Sequence, residues 1–175
     1  MDRYISLLRG VNLGKHNKVN MLRLKGIYEK LGFKRVETYI QSGNVLFESP
    51  EKNHTKLILK IEDGIAKSFG FEVPVFIRTR VELQKVIRNN PFAGRDENAI
   101  YVTFLSNGLK NAAREEIEEN RGESEEYYID DREIYLYYPD GYGKTKLSNN
   151  FFEKKLKVEA TTRNWKTVNA LFNMA

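Results

Sequence analysis

The sequence has no cysteine, two histidines, one tryptophan and four prolines among 175 residues. Without thiols there is no disulfide framework, no thiolate zinc site and no cysteine nucleophile. The two histidines, His16 and His54, stand in no metal-ligand spacing pattern, so no metal site is expected. No run approaches the ~18 apolar residues that a membrane span needs, and no membrane partner is expected. The opening MDRYISLLRG has neither the hydrophobic core nor the small-residue cleavage site of a secretory signal. A cytoplasmic protein is the simplest expectation. There is no low-complexity segment and no flexible Gly/Ser linker.

What is present is an ordinary globular balance, with 41% hydrophobic and 30% charged residues. The formal charge of +5 and a pI near 9.2 favour acidic partners such as nucleic acid or phosphorylated metabolites. A modest excess spread over a surface would serve solubility instead.

Tyr4 to Leu8 reads as a strand. Leu24, Ile27 and Leu31 then repeat at helical spacing, with Asn20 as N-cap, Gly32 as a left-handed stop, and Val19 and Leu24 as a hydrophobic staple. Val36–Ile40 and Val45–Glu48 form β-like runs around the turn QSGN, Gln41 to Asn44. Leu57, Ile61, Ile65 and Phe69 mark a second helix closed by Gly70, and Val73–Arg78 a fourth strand that Pro74 confines to a sheet edge. This order of strand, helix, two strands, helix and strand is the split βαβ pattern.

The second half repeats it approximately. Thr79 and Glu82 have capping-box spacing ahead of Leu83, Val86 and Ile87. A strand Ile100–Leu105, a weak helix Lys110–Glu119, and a hairpin of Glu126–Ile129 and Glu133–Tyr138 turning at Asp130 and Asp131 follow. A helix carrying Leu147, Phe151 and Leu156 comes next, and KVEATTRN replaces or shortens the last strand. A final helix presents Trp165, Val168 and Phe172. The expected fold is α+β: two ferredoxin-like lobes, residues 1–78 and 79–175, with a C-terminal helix.

Three joints combine small or amide residues with cations. RGVNLGKHNK leads from the first strand to a helix and offers Arg9, Asn12, Gly14, Lys15 and Lys18. GYGKTK offers Lys144 and Lys146; ATTRNW offers Arg163 and Asn164, with Thr161 or Thr162 capping and Arg163 in the first helical turn. A cation at a helix N-terminus opposes the helix dipole, by about 0.3–1 kcal/mol when exposed, and a bound anion would offset the mismatch. Neither Gly-rich loop is a nucleotide fingerprint: GVNLGK lacks the third glycine of G-x-G-x-x-G, and Tyr138 stands where a Walker loop needs glycine.

The QSGN turn, with Gln41, Ser42 and Asn44, is expected at the opposite end of its strands from RGVN and is treated as a separate site. Ser42 has no base beside it and reads as a turn former. Tyr127, Tyr128, Tyr135, Tyr137 and Tyr138 on the second hairpin fit half-buried packing better than base stacking. The RNA-recognition signature is absent from NVLFES, which leaves Tyr4 and Phe47 as stacking candidates.

Taken together, LLRGVNL, TYIQSGNVLFES, GYGKTKLSNNFFEKKL and ATTRNWKTV resemble the bacterial domain of unknown function 1697 family. The resemblance implies a cytoplasmic α+β protein with two related lobes, and no reaction. It marks Arg9, Gly10, Asn12, Gly14, Gln41, Ser42, Gly43, Asn44, Gly143, Lys144, Arg163, Asn164 and Trp165 as motif positions.

The leading expectation is a protein that binds a phosphate-bearing ligand, nucleotide-like or nucleic acid, through these basic loops. An enzyme holding a small anionic substrate with Arg9, Lys144 and Arg163 is the alternative, weakened by the lack of an adjacent nucleophile or base. A structural or protein-interaction module is the third. The sequence names no cofactor and no oligomeric state.

Overall fold

The computed structural model describes residues 1–109 and 112–175. The first half contains β1 (Asp2–Leu8), α1 (Met21–Lys30), β2 (Lys34–Tyr39), β3 (Asn44–Ser49), α2 (His54–Phe69), β4 (Val75–Thr79) and α3 (Arg80–Arg88). The second contains β5 (Ile100–Leu105), α4 (Ala112–Asn120), β6 (Glu126–Asp130), β7 (Glu133–Tyr137), α5 (Asn149–Leu156), β8 (Ala160–Asn164) and α6 (Trp165–Met174). Each half holds one four-stranded sheet, ordered β2-β3-β1-β4 and β6-β7-β5-β8, with antiparallel neighbours throughout. Contacts divide the chain into unit 1, Met1–Lys85 with Leu171–Ala175, and unit 2, Val86–Ala170.

The local signals in unit 1 act as expected. Asn20 accepts the Arg23 N–H at 2.9 Å to start α1, and Gly32 turns left-handed after it. Val19 and Leu24 are both buried in one core with Tyr4, Leu8, Phe47, Leu57, Ile61 and Ile65. Each such aliphatic side chain contributes about 1.5–3 kcal/mol when fully buried. Gly70 closes α2 in the left-handed region. β4 begins one residue after Pro74 and lies at the sheet edge. The Thr79–Glu82 capping box is reciprocal: Glu82 accepts the Thr79 N–H at 2.7 Å, and Thr79 Oγ1 accepts the Glu82 N–H at 3.2 Å.

Three expectations fail in unit 2. KVEATTRN does not replace the last strand, because Ala160–Asn164 forms β8 and pairs with β5 along its length. The β-branched Thr161 and Thr162 suit an edge strand, although the segment lacks an apolar alternation. Arg163 therefore belongs to a strand and not to a helical turn, and Asn164, not Thr161 or Thr162, caps α6 by accepting the Thr167 N–H at 2.9 Å. Leu147 is fully buried but precedes α5, whose cap is Ser148. Lys110, where the sequence starts the preceding helix, lies outside the described residues.

Candidate functional site

In an antiparallel sheet the end of β1 stands beside the start of β3, as the pairing Leu7↔Asn44 records. The β1–α1 loop and the QSGN turn are consequently at the same end, which corrects the expectation that they lie apart. They also touch. Leu8 donates its N–H to the Gly43 carbonyl at 2.8 Å, and the Asn12 amide donates to the Gln41 carbonyl at 2.7 Å. A Cβ on Gly43 would come within 2.6 Å of Val11 Cγ2 and 2.7 Å of Leu8 Cβ, so this glycine is required by close approach as well as by its φ of +76°.

Asn12 organises the joint. Its amide also donates to the Val19 carbonyl at 2.9 Å and its Oδ1 accepts the Val19 N–H at 2.8 Å, closing the loop onto the residues that start α1. With φ of +56° it occupies the left-handed region, which Asn tolerates better than most residues. Gly10 and Gly14 are left-handed too, with nothing within 4 Å of an added Cβ, so their reason is the turn and not close approach. The Asn12 N–H is bonded to the Asn17 carbonyl at 3.1 Å, so this amide is already engaged within the loop. Lys15, His16 and Lys18 are exposed, whereas Arg9 is half-buried and donates its N–H to the Pro74 carbonyl at 3.0 Å. No Asp or Glu occurs from residue 3 to residue 28.

The Ser42 and Asn44 side chains are structural at close range, while Gln41 is exposed. Asn44 is fully buried and donates to the Tyr39 carbonyl at 3.1 Å and to Ser42 Oγ at 2.9 Å. Tyr4 and Phe47 cannot receive bases: both are buried in the core of unit 1, stacked at 5.6 Å.

In unit 2 the predicted residues separate. Lys144 and Lys146 are exposed around a short 3-10 turn, Tyr142–Lys144, that is set apart from α5. The first donors of α5 are met internally, Asn149 giving its N–H to Tyr142 Oη at 2.8 Å and Phe151 to Ser148 Oγ at 3.3 Å. Sequence reasoning missed Tyr142 because its hydroxyl reaches forward seven residues, outside any capping pattern. Arg163 is buried and donates to Thr161 Oγ1 at 2.7 Å and to the Thr162 carbonyl at 3.0 Å. Burial lowers its pKa to about 10. Tyr135 and Tyr138 are buried and donate to the carbonyls of Val86 and Leu147, each at 2.8 Å, in line with packing. A cavity of about 470 Å³ is lined by Leu109, Ala113, Leu156 and Val158, with Glu116 and Lys155 paired at 3.5 Å; none of the predicted residues lines it. Among the described residues no three His, Asp or Glu side chains gather to hold a metal.

Comparison with curated proteins finds no match. Among solved structures, the chain is similar to the conserved bacterial protein SP0830 from Streptococcus pneumoniae, at 28% identity and a TM-score of 0.77, over 99% of this chain and 98% of that one. A family model described as a protein of unknown function matches residues 1–135, which includes the hydrogen-bonded RGVN and QSGN segments and stops short of GYGKTK and TRNW. On that match the chain belongs to the DUF1697 family.

Proposed function

We propose that the protein binds a phosphate-bearing ligand, a nucleotide-like molecule or a nucleic acid, at the β1–α1 loop of unit 1. The observation that carries this reading is the loop itself. Lys15, His16 and Lys18 stand exposed on a segment that Asn12 pins in place, within a stretch free of carboxylates from residue 3 to residue 28. A fixed pair of lysines in an acid-free stretch attracts phosphate without first being released from an internal ion pair. Gln41, Ser42 and Asn44 support the loop from the adjacent turn. Lys144 and Lys146 remain contributors of charge in unit 2, while Arg163 and Asn164 are given the lesser part of holding β8 and α6 in place.

Thermal-shift measurements against nucleotides, phosphorylated metabolites and short oligonucleotides test the reading, since a bound ligand raises apparent stability by mass action. Calorimetry on Lys15→Ala/Lys18→Ala then locates the site. Unchanged affinity in that variant for an anion that the unmodified protein binds would make the loop a connector. For an oligonucleotide, affinity falls with rising salt as counterions are released.

A second reading, a structural or interaction module, is favoured by the number of motif residues engaged in packing and capping: Asn12, Gly43, Asn44, Arg163 and Asn164. We also read each unit as ferredoxin-like, with the lobes divided near Arg78 and Thr79. The strand order β2-β3-β1-β4, repeated as β6-β7-β5-β8, supports the ferredoxin-like reading, while the contacts divide the chain later, after Lys85.

A further inference from the structure

Seven large apolar side chains are exposed among the described residues, and three of them belong to the segments that meet at the loop end of unit 1. Leu13 is 70% exposed, Leu22 78% and Ile40 51%. The Asn12 side chain draws their segments together, because it binds the backbone of Val19 and of Gln41. Leu13 adjoins Asn12, Ile40 adjoins Gln41, and Leu22 follows Val19 by three residues. Ile40 is held at this position in the left-handed region, φ +49°, which a β-branched residue rarely adopts. Exposed apolar residues scattered singly need no explanation, but three on segments tied together by one asparagine do. The same loop carries the exposed Lys15, His16 and Lys18, and the sequence has no carboxylate from residue 3 to residue 28.

We infer that this end of unit 1 docks on an anionic lipid bilayer, Leu13, Leu22 and Ile40 entering the headgroup boundary while Lys15 and Lys18 meet lipid phosphates. The inference rests on the anion-binding reading of the same loop and names a partner for it. Charge complementarity selects the anionic surface, and the kind of apolar residue selects lipid over single-stranded nucleic acid. Bases are gripped by aromatic faces, and here the exposed residues are aliphatic while Tyr4 and Phe47 are buried. No helix among the described residues is long and apolar enough to cross a membrane. That observation concerns spanning; docking needs a few apolar points and positive charge.

The test is co-sedimentation of the full chain with vesicles of phosphatidylcholine alone and of phosphatidylcholine with about one third phosphatidylglycerol. The expected result is sedimentation with the anionic vesicles, weakened by salt. Leu13→Ser/Leu22→Ser/Ile40→Ser, which keeps every charge, should lose about tenfold or more in vesicle affinity. In parallel, thermal shift with inorganic pyrophosphate should respond equally in the unmodified protein and the triple-serine variant, and fall in Lys15→Ala/Lys18→Ala. No vesicle binding alongside a pyrophosphate response overturns the lipid inference and leaves the anion reading standing. No response in either assay overturns both. Equal vesicle binding by the triple-serine variant overturns the role of the aliphatic side chains. Oligonucleotide binding without vesicle binding assigns the surface to nucleic acid instead.

Discussion

Units 1 and 2 follow the same order of elements but are charged differently: residues 1–85 and 171–175 hold 16 Lys/Arg against 9 Asp/Glu, and residues 86–170 hold 13 against 15. Their interiors agree more closely. Each last strand, β4 or β8, carries a buried arginine, Arg78 or Arg163, followed at once by the residue that caps the next helix, Thr79 or Asn164. Their loops diverge. Unit 1 joins β2 to β3 through four residues, 40–43, and unit 2 joins β6 to β7 through only Asp131 and Arg132, although both turns accept the N–H that ends the neighbouring strand, Leu8 to the Gly43 carbonyl and Leu105 to the Arg132 carbonyl, each at 2.8 Å. The lesson is that the frame tolerates opposite surface charge, so the basic loop of unit 1 is not a requirement of folding and needs another reason.

The strongest way to break this comparison is Gly43→Ala. It places a methyl group against Val11 and Leu8 at a left-handed position and should cost about 3 kcal/mol or more, read by urea unfolding. The two-residue turn of unit 2, Asp131 and Arg132, contains no glycine, so a destabilisation that spares β6–β7 amide protection in hydrogen exchange would mark the effect as local to unit 1.

Next come the paired arginines. Arg163→Ala removes a buried side chain and leaves Thr161 Oγ1 and the Thr162 carbonyl without its donors, at a cost of about 2–4 kcal/mol. Arg78→Ala should match it within about 1 kcal/mol if the two strands play one role. A difference much larger than that would end the equivalence.

Asn12→Ala, which deletes three side-chain hydrogen bonds, should cost about 2 kcal/mol and release the β1–α1 loop to proteolysis while α1 persists. Glu82→Gln probes the capping box. Burial opposes ionisation of Glu82, but hydrogen bonds from the Thr79 N–H and hydroxyl, with Arg78 and His54 nearby, prevail and hold its carboxyl below its ordinary value. A lowered carboxyl pKa stabilises the fold above the carboxyl's ordinary pKa, and this contribution disappears as pH falls through the folded value. The melting temperature of Glu82→Gln should therefore lie below that of the unmodified protein at neutral pH and converge with it in acid. The effect is about 0.5–1 kcal/mol, because the pair is partly open to solvent. Lys15→Ala/Lys18→Ala should be the smallest perturbation of stability, within about 0.5 kcal/mol, and the largest of anion binding.

Much of this was legible in the chain. Asn20, Gly32, Gly70 and the Thr79–Glu82 pair act through neighbours three or four residues away, so their spacing reveals them. β8 was not legible, because ATTRN has no apolar alternation and earns its place by pairing with β5, some 60 residues earlier. Nor was the meeting of RGVN with QSGN, which depends on strand direction within the sheet. The motif residues themselves could be picked out, but their roles could not: Asn12 and Arg163 look alike as polar residues near element ends, and only burial separates a loop clasp from a strand interior.

The assignment of residues 171–175 to unit 1 has a consequence for synthesis. Arg3 donates to the Met174 carbonyl at 3.3 Å, and the Arg80 guanidinium lies 4.5 Å from the centre of the Phe172 ring. On the ribosome these partners emerge only after all of residues 86–170 have been made, so the first unit cannot be completed in the order in which it is translated. A nascent chain stalled after β4 should show β1–β3 pairing while Arg3 and Arg80 still lack these contacts, and its final consolidation should wait for the last helix to be released.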